Sequence, residues 1–149
     1  MNNCEFALND TIDLIEEVIS SGGEFRLFPK GVSMRPLLVQ GRDSVVLRKK
    51  EGVPANKHDI AFYKRANGQF VLHRVMKIKK DGSYVMCGDN QFEFEEGISR
   101  EQIIGYVSDI YRGSKRFSIS SFRYRAYVFI WTKMPIRKVL VNLRSVFKK

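Results

Sequence analysis

No acidic residue follows Asp109: from Ile110 to Lys149 the chain carries eleven Lys and Arg side chains and not one Asp or Glu. That absence excludes a self-compensated surface there. It also concentrates the whole net charge of +10 in the tail, because the first 109 residues hold 15 basic and 16 acidic groups. Cysteine is scarce as well. Cys4 and Cys87 stand far apart without metal-ligand spacing, which argues against a disulfide framework and against a zinc site, so both read as free thiols. Only two histidines, His58 and His73, are available for imidazole chemistry. No apolar run approaches the ~18 residues of a membrane span, so no transmembrane helix is expected. The N-terminus, with Asn2, Asn3, Glu5, Asn9 and Asp10, lacks the basic-then-apolar order of a secretory signal. The expected location is cytoplasmic, with the basic tail suited to the inner face of a membrane.

What is present suffices for one core. A chain of 149 residues with 44% apolar and 28% charged residues has the size and balance of a single globular domain. Its pattern divides it into an N-terminal helix (1–23), a central β-rich part (24–120) and a basic helical tail (121–149). Leu8, Ile12, Ile15 and Ile19 recur at helical spacing with Asp13, Glu16 and Glu17 between them, and Gly22 and Gly23 end the segment. Strands are predicted over Glu24–Lys30, Asp43–Lys50, Ile60–Arg65, Gln69–Ile78, Tyr84–Cys87, Ile103–Tyr111 and Lys115–Ile119. Pro54 breaks the run after the second of these, and Asn67-Gly68 closes a hairpin. Residues 91–102 read as irregular and acidic. About seven short strands at this spacing predict a mainly β fold, a twisted sandwich or partly barrel-like sheet. In the tail, Pro135 separates the aromatic stretch Tyr124–Trp131 from a predicted basic amphipathic helix. There Ile136, Val139, Leu140, Leu143 and Phe147 form the apolar side, and Arg137, Lys138, Arg144 and Lys148 the polar one.

Three short stretches invite chemistry. In Gly31-Val32-Ser33-Met34-Arg35-Pro36, a glycine and a proline flank a serine and present it on a turn, where most serines only bond nearby backbone. In Val71-Leu72-His73-Arg74-Val75, strand alternation puts His73 on the face of Val71 and Val75. A histidine there is either a satisfied structural residue or a base; His58, in a turn beside Lys57 and Asp59, is the weaker candidate. Gly88-Asp89-Asn90 is a turn sequence whose carboxylate is of the kind that orients an imidazole. A serine that attacks an amide needs a group to take its proton and donors to stabilise the oxyanion.

The order of these pieces resembles a family. Gly31–Pro36 is similar to the Ser-Met-x-Pro nucleophile box of the signal peptidase I and LexA-type serine proteases, and Gly41-Arg42-Asp43-Ser44-Val45 to the Gly-Asp-x-Val after it, with Arg42 inserted. Val71–Val75 resembles the next box in its His-Arg-Val form, carried by the archaeal and endoplasmic-reticulum type. Gly88–Asn90 is similar to the Gly-Asp-Asn box, and Ile103–Val107 to the closing Gly-x-Val strand. The resemblance runs from about Phe25 to Tyr111. It implies a coiled, partly barrel-like β fold and a serine peptidase cutting a leader or signal-like peptide. Ser33 would be nucleophile and His73 general base, Asp89 would orient His73 or support the site, and no cofactor or metal is implied. Gly31, Met34 and Pro36 would shape the substrate and oxyanion side, the hole resting on backbone N–H groups such as that of Ser33. An ordinary imidazole base would make activity rise through about pH 6 to 7. The competing class is an inactive relative that binds peptides or an anionic surface. For the tail, an anionic membrane surface, a helix packed on the domain and nucleic acid are the three readings; nucleic acid ranks last, because no helix-turn-helix or zinc-finger pattern accompanies the charge.

Overall fold

The computed structural model describes residues 3–50, 55–133 and 137–139, with side chains from residue 11 onward. Helix α1 (Asn3–Ser20) is followed by strands β1 (Phe25–Leu27), β2 (Asp43–Arg48), β3 (Ile60–Lys64), β4 (Phe70–Ile78), β5 (Tyr84–Cys87) and β6 (Glu95–Ile98). After a single 3-10 turn come β7 (Ile103–Arg112), β8 (Lys115–Ser118) and helix α2 (Phe122–Trp131). All strand pairings are antiparallel. The order across the sheet is β1-β2-β7-β3-β4-β5-β6, with β8 continuing along β7 beyond the stretch that pairs β3. The mainly β expectation holds. The sheet is not closed into a barrel, so its barrel-like character goes no further than an open, bent sheet.

The bends are local and have a cause. Registers slip by a residue between Val46 and Leu47, between Phe62 and Tyr63, between Val75 and Lys77 and between Tyr84 and Met86, and each bulge increases strand twist. The sheet therefore curls around two apolar clusters, one on each face. The larger joins Ile12, Ile15 and Ile19 of α1 to Val45, Leu47, Phe62, Leu72, Val107 and Ile110. The smaller joins Ala61, Tyr63, Val75, Tyr84, Met86 and Tyr106 on the face that also bears His73.

The helix seats as its spacing requires, with Asp13, Glu16 and Glu17 in solvent. Gly105 of β7 is part of the reason. A Cβ there would stand 2.9 Å from Ile19 Cδ1, so the bare backbone lets Ile19 lie directly on the sheet.

Two expectations change. The segment read as irregular contains β6, because Glu95 and Ile98 pair with Met86 and Tyr84 although the run has few β-forming residues. In the tail, residues 137–139 are helical, but Arg137, expected on the polar side, is buried, and Val139, expected on the apolar side, is 58% exposed. Arg137 turns inward because its guanidinium finds partners: Nη2 donates to Cys87 Sγ at 3.3 Å, and the plane lies over the Phe92 ring at 5.1 Å. Pro54, Pro135, Ile136, Leu140, Leu143, Arg144, Phe147 and Lys148, and the side chains of Cys4 and Leu8, lie outside the described residues. No helix among the described residues is long and apolar enough to cross a membrane.

Ile19 is 1% exposed at the contact between α1 and the sheet. Ile19→Ala should cost about 2–5 kcal/mol by urea denaturation, the range for truncating a buried aliphatic. A loss below about 0.5 kcal/mol, the level of a surface substitution, would mean that α1 does not depend on this contact.

Candidate functional site

The Gly31–Pro36 stretch is a turn, as expected, lying between β1 and β2. Gly31 adopts φ +87°, a left-handed value suited to glycine, and its N–H donates to Gln40 Oε1 at 2.8 Å. Beyond Ser33 the chain coils once, Arg35 N–H reaching Val32 O and Leu38 N–H reaching Met34 O. Met34, Leu37 and Leu38 drop into the larger apolar cluster. Pro36 is half-buried behind them. The far end is closed by the buried Asp43 carboxylate, which accepts from Val39 N–H at 2.8 Å and from the Arg42 guanidinium. One side of the turn is thus anchored, and Ser33 is left half-buried on the other.

What Ser33 meets is the Gly88–Asn90 turn. A Cβ on Gly88 would lie 2.6 Å from the Ser33 carbonyl oxygen and 3.1 Å from Ser33 Cβ, so this close approach requires glycine. Asn90 N–H donates to the same carbonyl at 2.7 Å. Strands β4 and β5 pair Arg74 with Cys87. Continuing that register by one residue sets Gly88 opposite His73, and opposed residues of antiparallel strands point to one face. Ser33 and Gln91 therefore fill the space of the missing Gly88 side chain, on the side that the continued register gives to His73. Its hydroxyl, its N–H and the N–H of Met34 have no hydrogen-bond partner among the described residues.

His73 is buried, and its surroundings fix its proton. The Tyr63 hydroxyl donates to Glu95 Oε2 at 2.7 Å and lies 3.2 Å from His73 Nδ1. A phenol has one proton, so with that proton on the carboxylate its oxygen accepts from Nδ1–H, and the imidazole lone pair is left on Nε2. Arg65 in turn grips both oxygens of Glu95, at 2.8 to 3.0 Å. Burial would raise the Glu95 carboxyl, but the hydrogen bonds from Arg65 and Tyr63 outweigh it and hold it below its usual value. His73 itself is pushed down to about 4, chiefly by burial and then by the Arg65 charge, with Glu95 and Asp89 opposing. It is a neutral imidazole at neutral pH.

Asp89 is placed differently from the expectation that it orients His73. Its carboxylate receives Arg74 Nε and Nη2 at 2.8 and 2.7 Å and the Tyr127 hydroxyl at 2.8 Å, while its carbonyl accepts from Trp131 Nε1 at 2.7 Å. Strand alternation explains this. Arg74, Cys87 and Asp89 share the face opposite His73, so Asp89 supports the site by holding the turn on which Ser33 rests. Arg74 also donates to His58 O and Tyr124 Oη. His58 lies on that side too, in a left-handed conformation at φ +77°, with Nδ1 buried and unpartnered among the described residues. Cys87 is a free, buried thiol whose pKa burial raises, against the lowering effect of Arg137.

Two neighbouring grooves are present, Ser33 lining one and His73 the other. One, of about 810 Å³, runs past Ser33 and Met34 between Phe28, Phe62, Phe70 and Leu72. The other, of about 570 Å³, is lined by His73, Glu95, Phe92 and Phe94, and Asn67 at the tip of the β3–β4 hairpin borders both. The turn thus carries a hydroxyl and two open backbone N–H groups, and a neutral imidazole lines the neighbouring groove. Such a set is equipped to deprotonate a nucleophile and hold an oxyanion. Among the described residues no group of three or more His, Cys, Asp or Glu gathers to hold a metal ion.

Sequence reasoning missed Tyr63, Arg65 and Glu95 behind His73, and Arg74, Tyr127 and Trp131 around Asp89. The Asn67-Gly68 hairpin was the available signal for Tyr63, since its register pairs Ala61 with His73 and Tyr63 with Val71 on one face. No local signal pointed to Glu95. No family model matches the chain, and no curated protein matches it.

Two stability measurements follow. Asp89→Ala leaves Arg74 buried without its charge partner and should cost about 3–5 kcal/mol in urea, whereas a loss under 1 kcal/mol would show the pair to be dispensable. For His73, the unfolded chain takes up a proton near pH 6.5 that the folded imidazole refuses until about 4. Its contribution is fully present above pH 6.5 and falls away toward pH 4, by up to about 3 kcal/mol. His73→Asn should flatten that part of the wild-type stability curve, and an unchanged slope would contradict the assignment.

Proposed function

We propose that the chain is a serine endopeptidase of signal-peptidase type that cleaves a leader or signal-like peptide, with Ser33 as nucleophile and His73 as general base. The observation that carries this reading is the seating of Ser33 on Gly88, on the side of the sheet that bears His73, with its hydroxyl and N–H unengaged. In the proposed step, the Ser33 oxygen attacks the scissile carbonyl while its proton passes to His73 Nε2. The N–H groups of Ser33 and Met34 receive the oxyanion. His73 then returns the proton to the departing amine, the acyl group stays on Ser33, and a water deprotonated by His73 releases it.

The depressed imidazole is in its proton-accepting form throughout the neutral range, and the same burial weakens it as a base relative to an exposed histidine. Tyr63 and Glu95 take the orienting role given to the third member of a triad. The apolar groove beside Ser33 suits an extended peptide with apolar side chains near the cleaved bond.

A fluorophosphonate probe tests the nucleophile. Wild type should be labelled, and Ser33→Ala and His73→Ala should not; a folded wild type that stays unlabelled would favour the peptide-binding alternative. Peptides that accumulate in a Ser33→Ala strain, read by mass spectrometry, name the substrate.

The pH profile tests the base. Because burial holds His73 near 4, the proton-accepting form persists to low pH. The acidic limb of kcat/KM should therefore lie near pH 4, not at the 6 to 7 expected of an exposed imidazole. Tyr63→Phe removes the acceptor for Nδ1–H and should lower kcat by roughly 10²-fold with little change in KM. Nitrogen NMR of His73 should show loss of the single Nδ1–H tautomer. An unaltered tautomer and rate would remove Tyr63 from the mechanism.

A further inference from the structure

Helix α2 has two faces with different tasks. Tyr124, Tyr127 and Trp131 turn inward, their polar atoms bonded to Arg74 and Asp89. At about 100° per residue the opposite face carries Phe122, Ala126 and Phe129, with Arg125 on one flank and Ile130 and Arg123 on the other, and Lys133 follows the end of the helix. These apolar side chains are not covered: Phe122 is 85%, Phe129 63% and Ile130 46% exposed. The Lys133 ammonium stands 4.0 Å from the Phe129 ring centroid, a cation–π contact on this same face. Arg123, Arg125 and Lys133 are all exposed.

We infer that this face of α2 docks on an anionic lipid bilayer, lying in the headgroup plane. An aromatic and aliphatic centre flanked on both sides by arginine is the pattern that sinks apolar groups to the acyl boundary while guanidinium groups meet lipid phosphates. The surrounding charge agrees, since no acid follows Asp109 to repel such a surface. A second copy of this chain fits less well, because a two-fold contact through this face would bring its Arg and Lys residues against their own equivalents. Nucleic acid fits less well too, for the centre of the stripe offers apolar groups, Phe122 and Phe129 among them, where phosphates would require charge. The sequence pattern gave an anionic membrane surface to the whole tail, 121–149; the exposed stripe lies on α2 within it. Docking there has a structural corollary. The inward face of the same helix holds Asp89, so the turn under Ser33 would sit roughly one helix diameter, about 10 Å, above the headgroups.

Vesicle flotation of the full chain tests this without reference to any peptidase activity. The protein should float with phosphatidylcholine vesicles containing phosphatidylglycerol, and not with phosphatidylcholine alone. The triple variant Phe122→Ser/Phe129→Ser/Ile130→Ser, with an unchanged circular dichroism spectrum, should lose binding roughly tenfold or more. Arg123→Gln/Arg125→Gln should weaken binding and shift it to lower salt. The inference fails if the triple variant floats like wild type, which would assign binding to the remainder of the basic tail. It also fails if wild type ignores anionic vesicles while sedimenting as a dimer that the variant abolishes, or while binding RNA or DNA through this face.

Discussion

The buried ion pair between Arg74 and Asp89 holds strand β4, the turn after β5 and helix α2 together. Their side chains are 0% and 2% exposed, joined by two parallel hydrogen bonds at 2.8 and 2.7 Å. Burial alone would lower the pKa of the guanidinium, but the charge and hydrogen bonds of Asp89 more than reverse this, and the guanidinium stays protonated. A paired, fully bonded charge of this kind gives modest net stability over an apolar substitute, yet leaves either partner intolerable alone. Its value lies in placement. Arg74 belongs to β4, Asp89 to the turn after β5, and Tyr124, Tyr127 and Trp131 of α2 complete the network, so three separate segments share one orientation.

That network lies on one face of β4 and the proposed chemistry on the other. Adjacent residues of a strand point oppositely, so Arg74 fastens the scaffold while His73, one residue earlier, faces the groove it shares with Glu95. Two carboxylates divide the remaining work by the same logic. Asp89 fixes the backbone on which Ser33 sits, and Glu95, through Tyr63, fixes the imidazole proton on Nδ1. The burial that makes these arrangements rigid also depresses His73, which favours a neutral ring over a strongly basic one.

Much of the architecture was legible because it depends on local pattern. The spacing of Ile12, Ile15 and Ile19 predicted the buried side of α1, and Asn67-Gly68 predicted the β3–β4 hairpin. Ser33 was legible as a turn residue because glycine and proline constrain the backbone directly. Glu95 and Arg137 were not. Glu95 lies in a run of weak strand formers that becomes a strand only because β5 offers it an edge, and Arg137 is drawn inward by Cys87 and Phe92, far away in sequence. Charge count and helical periodicity carry no information about such partners.

By itself, then, the sequence determined the mainly β character, the α1 face, the serine turn and the acid-free basic tail, all of which follow from interactions within a few residues along the chain. Tertiary structure decided which carboxylate stands behind His73 and which stands behind Arg74, that Ser33 and Gln91 take the place of the missing Gly88 side chain, and which helix presents its aromatics to solvent. These depend on the register between strands and on which face of the sheet each side chain enters. A one-residue slip in that register would exchange the faces on which the strand side chains act.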